Sequence, residues 1–83
     1  MKITIWEYEV TTAAEMLGCS EADVFEWYGE DTVNVYIAER SDGEWGAMTG
    51  VRKADGSYAV YGLRRDEENI TYKQMVAVLS TVF

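Results

Sequence analysis

Two short turn signals, Ser41-Asp42-Gly43 and Ala54-Asp55-Gly56, do most to limit what this chain can fold into. Each separates segments of strand character. Val33, Val35 and Ile37 alternate with Asn34, Tyr36 and Ala38 before the first turn; a run from about Glu44 to Lys53 lies between the turns; Ser57 to Leu63 follows the second. Asp-Gly between such runs marks a hairpin, because Gly adopts positive φ at no steric cost. The chain from Thr32 to Leu63 therefore reads as a three-stranded antiparallel meander. Within its middle strand, Gly46 and Gly50 mark weak points or a close approach of backbone.

The flanking segments are read in the same way. Ile3, Ile5 and Tyr8 or Val10 alternate imperfectly with Lys2, Thr4, Glu7 and Glu9, which predicts an opening strand over residues 2–9. The pattern slips at Trp6, so either Trp6 faces solvent or a bulge intervenes. Thr12-Ala13-Ala14-Glu15 fits a capping box and predicts a short helix over 12–17, closed by a left-handed Gly18. Ser20-Glu21-Ala22-Asp23 repeats the start signal, with Ser20 as N-cap, and the helix it opens runs to Tyr28 and stops at Gly29. Arg64 to Asn69 reads as a charged connector. Thr71-Tyr72-Lys73-Gln74 then opens a closing helix, with Ile70 stapled onto Met75. Tyr72, Met75, Val76, Leu79, Val82 and Phe83 share one face of it. The expected fold is one α+β domain spanning residues 1–83, of order β-α-α-β-β-β-α, with an antiparallel sheet and helices mostly on one face.

A domain of 83 residues buries only about 60 to 65% of its unfolded surface, so it has little stability to spare. Its 48% hydrophobic and 13% aromatic content nevertheless sets it apart from disordered chains. The net charge of −8 is unevenly placed. Residues 1–31 hold eight of the acidic side chains against Lys2 alone, while the remainder holds seven acidic and six basic. Such a field attracts cationic partners and repels nucleic acid and anionic membranes. The lone Cys19 fits a reducing compartment. The N-terminal segment has no signal-peptide pattern, and no run approaches the ~18 apolar residues of a membrane span. The expectation is a cytoplasmic protein with no membrane partner.

The stretch from Thr11 through Ala13-Ala14, Leu17-Gly18-Cys19-Ser20 and Val24-Phe25 to Tyr28 resembles the helix-turn-helix of excisionase-like and MerR-like DNA-binding proteins. The resemblance implies core positions at Ala14, Leu17, Cys19 and Val24, with the following hairpin as a wing. It also implies that the start of the second helix meets DNA. In this sequence that position carries Glu21, Asp23 and Glu26 with no Arg or Lys, which opposes docking on a phosphate backbone. Arg40, Arg52, Lys53, Arg64 and Arg65 keep a nucleic-acid reading open if they cluster near strand ends. The competing reading pairs them locally with Asp42, Asp55, Asp66, Glu67 and Glu68.

No histidine is present, which removes the usual general base and the commonest metal ligand. One Cys without His builds no zinc site. The glycines are dispersed among turns and strands and form no phosphate-binding loop. With fifteen carboxylates, pairs at catalytic spacing arise by chance, and Asp42, Glu44 and Asp55 read as turn residues. The expectation is therefore no enzyme, no metal and no cofactor. Cys19 reads as a small buried hydrophobe in preference to a reactive thiol.

What remains is an interaction surface, formed by Glu15, Glu21, Asp23, Glu26, Trp27, Glu30 and Asp31, where carboxylates would steer and an aromatic ring would anchor. The expected function is an acidic protein-binding module or inhibitor that occupies the basic surface of a nucleic-acid-handling partner as a DNA mimic. In size and acidity the chain is similar to small phage-encoded anti-defence proteins, including anti-CRISPR and anti-restriction inhibitors. The alternatives are an atypical winged-helix regulator using the basic strand ends, and a homo-oligomeric structural subunit assembled through Trp6, Trp45 or the terminal helix.

Overall fold

The computed structural model describes residues 2–62 and 66–81. The elements are β1 (Ile3–Glu9), α1 (Val10–Leu17), α2 (Glu21–Tyr28), β2 (Thr32–Arg40), β3 (Trp45–Lys53), β4 (Tyr58–Tyr61), β5 (Glu67–Ile70) and α3 (Tyr72–Ser80). The strands form one antiparallel sheet in the order β1-β2-β3-β4-β5. The α+β class and the expected order of elements hold, with one addition. β5 occupies part of the segment expected to be a charged connector. It pairs Tyr58 with Ile70 and Val60 with Glu67 across a register shift, and Asn69 within it has φ of 56°. Arg64, Arg65, the expected strand end at Leu63, and the expected helix-face residues Val82 and Phe83 lie outside the described residues.

Capping chemistry sets two of the three helix starts. Ser20 accepts from the Asp23 N–H while Asp23 accepts from the Ser20 N–H, both at 3.2 Å. Thr71 and Gln74 make the same reciprocal pair at 3.2 and 2.8 Å. These boxes satisfy backbone donors that a helix start leaves without partners. The capping box expected at Thr12 does not form: the chain passes directly from β1 into α1, with Glu9 as an extended N-cap that makes no side-chain bond. The neighbouring Thr11 hydroxyl instead donates to Glu21 at 2.8 Å and ties the two helix starts together. Gly18 closes α1 with φ of 70°, as its place after Leu17 predicts.

Both faces of the sheet are covered. On one, Val10, Ala13 and Ala14 of α1 and Val24 of α2 pack on Val35, Ile37, Val51 and Ala59. On the other, Met75 and Leu79 of α3 pack with Tyr36, Ala38, Met48 and Val60. Two helices thus share a face and the third takes the opposite one. Residues 34–38 of β2 are buried throughout, because successive side chains point into the two layers in turn. α3 settles at Gly50, where a Cβ would stand 2.6 Å from Met75 Sδ and 3.1 Å from Leu79 Cδ1. Gly50 is therefore a point of close approach, one of the two roles its position in the strand suggests. Ile70 packs in the same cluster as Met75, consistent with the staple.

β1 pairs with β2 along all seven residues without a bulge, so the slip in pattern at Trp6 resolves as an exposed ring. Ile3 and Ile5 face the α3 layer, whereas Tyr8 packs into the α1–α2 layer.

Candidate protein-interaction surface

The acidic residues singled out by sequence divide into those holding the fold and those facing outward. Asp23 is engaged in the cap of α2 and Glu21 receives the Thr11 hydroxyl. Asp31 accepts from Lys53 Nζ at 3.1 Å. Glu15, Glu26 and Glu30 are exposed, and no salt bridge among the described residues involves them. Glu26 and Glu30 line a shallow groove of about 520 Å³ with Ala22 and Phe25. On the same helix Trp27 is 52% exposed, its ring set edge-on to Tyr28 at 6.1 Å between centroids. Tyr28 turns inward and stacks on Tyr61 at 5.7 Å. Trp27 thus projects from a fixed base, and α2 with the turn after it presents an aromatic ring and two carboxylates that form no salt bridge among the described residues. Asp31, by contrast, belongs to a separate polar pocket with Lys53, Asp55, Ser57 and Glu68.

Among the described basic residues, Arg40 stands apart from Arg52 and Lys53. Arg40 sits at the β2–β3 turn, where Asp42 grips it at 2.7 and 3.2 Å. Arg52 lies across from Asn34, six positions earlier on β2. At ~3.4 Å per residue this separates the two guanidinium-bearing strand positions by roughly 20 Å. Arg52 donates twice to Asn34 Oδ1, at 3.0 and 2.6 Å. Lys53 donates to the Tyr28 carbonyl and to Asp31, and lies 5.5 Å from the Tyr61 ring centroid. Desolvation alone would lower the Lys53 pKa, but its hydrogen bonds to Asp31 and Tyr61 outweigh that and raise it. Lys53 is thereby a fixed strut between α2 and the sheet. Local pairing is what the structure brings to Arg40 and Lys53, the former with Asp42 as sequence suggested.

Of the four core positions implied by the helix-turn-helix resemblance, Ala14 and Val24 are buried and Cys19 is partly so, while Leu17 is exposed. Burial and then the Asp23 carboxylate push the Cys19 thiol up, away from the thiolate a nucleophile needs. Among the described residues, no group of three or more His, Cys, Asp or Glu is placed to hold a metal ion. No described helix is long and apolar enough to cross a membrane.

A second feature of the α1–α2 side escapes any local reading of sequence. Met16, Leu17, Ile37, Trp45, Gly46 and Thr49 line a groove of about 200 Å³. Trp6 stands beside Ile37 in register. Four of the exposed large apolar side chains gather here: Met16 at 52%, Leu17 at 39%, Trp6 and Trp45 at 44% each. Glu39 lies between the two tryptophans, accepting the Trp6 Nε1–H at 3.0 Å and paired across the strands with Trp45. Leu17 faces this groove because Gly18 ends the helix before a further turn can cover it. The available signal was two tryptophans on strands that both pair with β2. Their convergence with Met16 depends on how α1 lies over β2. No protein-family model matches this chain, and no curated protein or solved structure is significantly similar to it.

Proposed function

We propose that this chain is a cytoplasmic, acidic protein-binding module that acts by occupying the basic surface of a partner that handles nucleic acid. The observation carrying this reading is the outward set on α1, α2 and the turn that follows α2. Glu15, Glu26 and Glu30 are exposed without an ion-pair partner among the described residues, and Trp27, next to Glu26 on α2, is half-exposed. Carboxylates without cations steer a basic partner into contact, and a fixed aromatic ring supplies contact area after desolvation. The chain would meet such a partner where phosphate otherwise binds. Among the described basic residues, the separation of Arg40 from Arg52 and Lys53 favours this reading over a basic wing.

The test is affinity capture from a nuclease-treated lysate of the encoding organism, at low salt and at about 0.5 M salt. At the higher salt the Debye length is about 4 Å, so long-range attraction is lost and a packed interface persists. The expected outcome is a basic nucleic-acid-handling protein retained in both conditions by the native chain and lost by a Glu15→Lys/Glu26→Lys/Glu30→Lys variant. Capture of nucleic acid itself, or capture indifferent to the charge reversal, would refute the reading.

A further inference from the structure

The groove at Trp6 and Trp45 has a chemistry distinct from that of the α2 surface. Its walls are apolar, from Met16, Leu17 and Ile37, yet Glu39 stands at its margin between two half-exposed indole rings. Glu39 is partly buried and forms no salt bridge with the described residues. One of its oxygens receives the Trp6 indole N–H, which fixes the carboxylate beside the ring. A carboxylate can accept about four hydrogen bonds, so capacity remains after that single donor. Indole faces attract cations, most strongly where water is partly excluded.

We infer that this groove seats a cationic side chain, arginine or lysine, of a partner protein segment, with Glu39 as counter-ion and an adjacent apolar residue of that segment against Met16 and Leu17. The assignment rests on the reading of this chain as a module for a basic partner, and adds the contact that gives it specificity. Charge complementarity selects the occupant. A second copy would bring another chain of net charge −8 onto a surface already bearing a carboxylate that forms no salt bridge with the described residues, whereas a cationic segment neutralises it. An arginine fits all three features: its planar head stacks on indole, its donors match a carboxylate, and its aliphatic stem lies along apolar side chains.

A library of phage-displayed random 12-residue peptides panned on the native chain tests the inference. The enriched peptides are expected to share an Arg or Lys next to a large apolar residue. A synthetic peptide of the enriched sequence should quench or shift tryptophan fluorescence on binding. Its affinity should fall at least about tenfold when that Arg is replaced by citrulline, the neutral isostere, or when the protein carries Glu39→Gln. Glu39→Gln preserves shape and an acceptor for Trp6, and an unchanged thermal melt shows that the fold is intact. Trp45→Phe, which keeps an aromatic ring of smaller area, should weaken binding less. An empty panning, enriched peptides without a cation, or equal binding to Glu39→Gln would overturn the inference. A dimer that Trp6→Ala abolishes would overturn it too, by giving the groove to a second copy. If Glu39→Gln still captures the basic partner from lysate, the groove assignment fails and the broader function stands. If the native chain captures no basic partner, the broader function fails by itself.

Discussion

Replacing Gly50 by Ala should destabilise the protein by about 1 to 2 kcal/mol, a loss set by two opposing effects. The backbone at Gly50 is ordinary strand, so Ala alone would stabilise by about 0.4 to 1 kcal/mol through a less flexible unfolded chain. Against this, the new Cβ would sit 2.6 Å from Met75 Sδ, 2.9 Å from Met75 Cγ and 3.1 Å from Leu79 Cδ1. Ordinary contact between such atoms is about 3.5 to 4.0 Å. A methionine at the surface would swing aside, but Met75 is 0% exposed and Leu79 1%. Overpacking of a filled core costs about 1 to 3 kcal/mol. The balance is a net loss, which lowers the melting temperature by roughly 4 to 15 °C for a domain of this size. Urea unfolding followed by tryptophan fluorescence and by far-UV circular dichroism would show a lower midpoint with an unchanged slope. Met75→Ala alone should cost about 2 to 5 kcal/mol. In the Gly50→Ala background it should cost less, by about 0.5 to 3 kcal/mol, because each change relieves the other. A Gly50→Ala protein as stable as the native one, or strictly additive double-mutant energies, would refute the idea that α3 is seated on this glycine.

Two further predictions concern titration. The Ser57 hydroxyl and N–H hold the Asp55 carboxyl below its ordinary value of 3.8, so its stabilisation is fully present above that value and is lost as pH falls through the lower native pKa. Unfolding free energies measured across about pH 2 to 5 should fall less steeply on acidification in Asp55→Asn than in the native chain, and parallel curves would contradict this. Burial, followed by the Asp23 carboxylate, raises the Cys19 pKa; alkylation by iodoacetamide near pH 8 should therefore be slower in the folded protein than in urea, with equal rates counting against a shielded thiol.

The elements legible in sequence were those whose ends carry their own chemistry. Ser20 with Asp23, Thr71 with Gln74, and Gly29 place α2 and the start of α3 because each bond is made within a few residues. The two Asp-Gly turns place β2, β3 and β4 for the same reason. α1 begins two residues before the Thr12 signal because tertiary packing of Val10 starts it, without a side-chain cap. β5 was unreadable because Glu67, Glu68 and Asn69 disfavour strand. They form one only through the partner that β4 offers. Two of the three helices share a face, in line with the expectation, but which helix takes the opposite face was not legible in the pattern. Alternating Val35, Tyr36, Ile37 and Ala38 looks like one buried face and one open face until the bulk of Tyr36 and the smallness of Ala38 are seen to serve a second layer.

The candidate surfaces followed the same divide. The exposed carboxylates of α2 could be expected from one helix read in isolation, whereas the pattern left Trp27 between core and surface and the structure exposes it. The Trp6–Glu39–Trp45 arrangement draws on β1, β2 and β3 at once, and its apolar wall on α1. Spacing along the chain carries no trace of such a meeting. The excess of eight acidic side chains over one basic in residues 1–31 likewise says nothing of which carboxylates the fold will use, as the engagement of Asp23 and Asp31 shows.

The sheet also acts as a partition between two histories of change. Residues 35 and 37 answer to α1 and α2, and residues 36 and 38 answer to α3. Substitutions on the α1–α2 side can therefore accumulate while Met75 and Leu79 keep their seat at Gly50. A lineage facing a changing partner could revise the surface that meets it and leave the opposite layer, on which folding also depends, untouched. Constraint would fall most heavily on β2, β3 and β4, where neighbouring residues serve both layers and a shift in either is felt by the other.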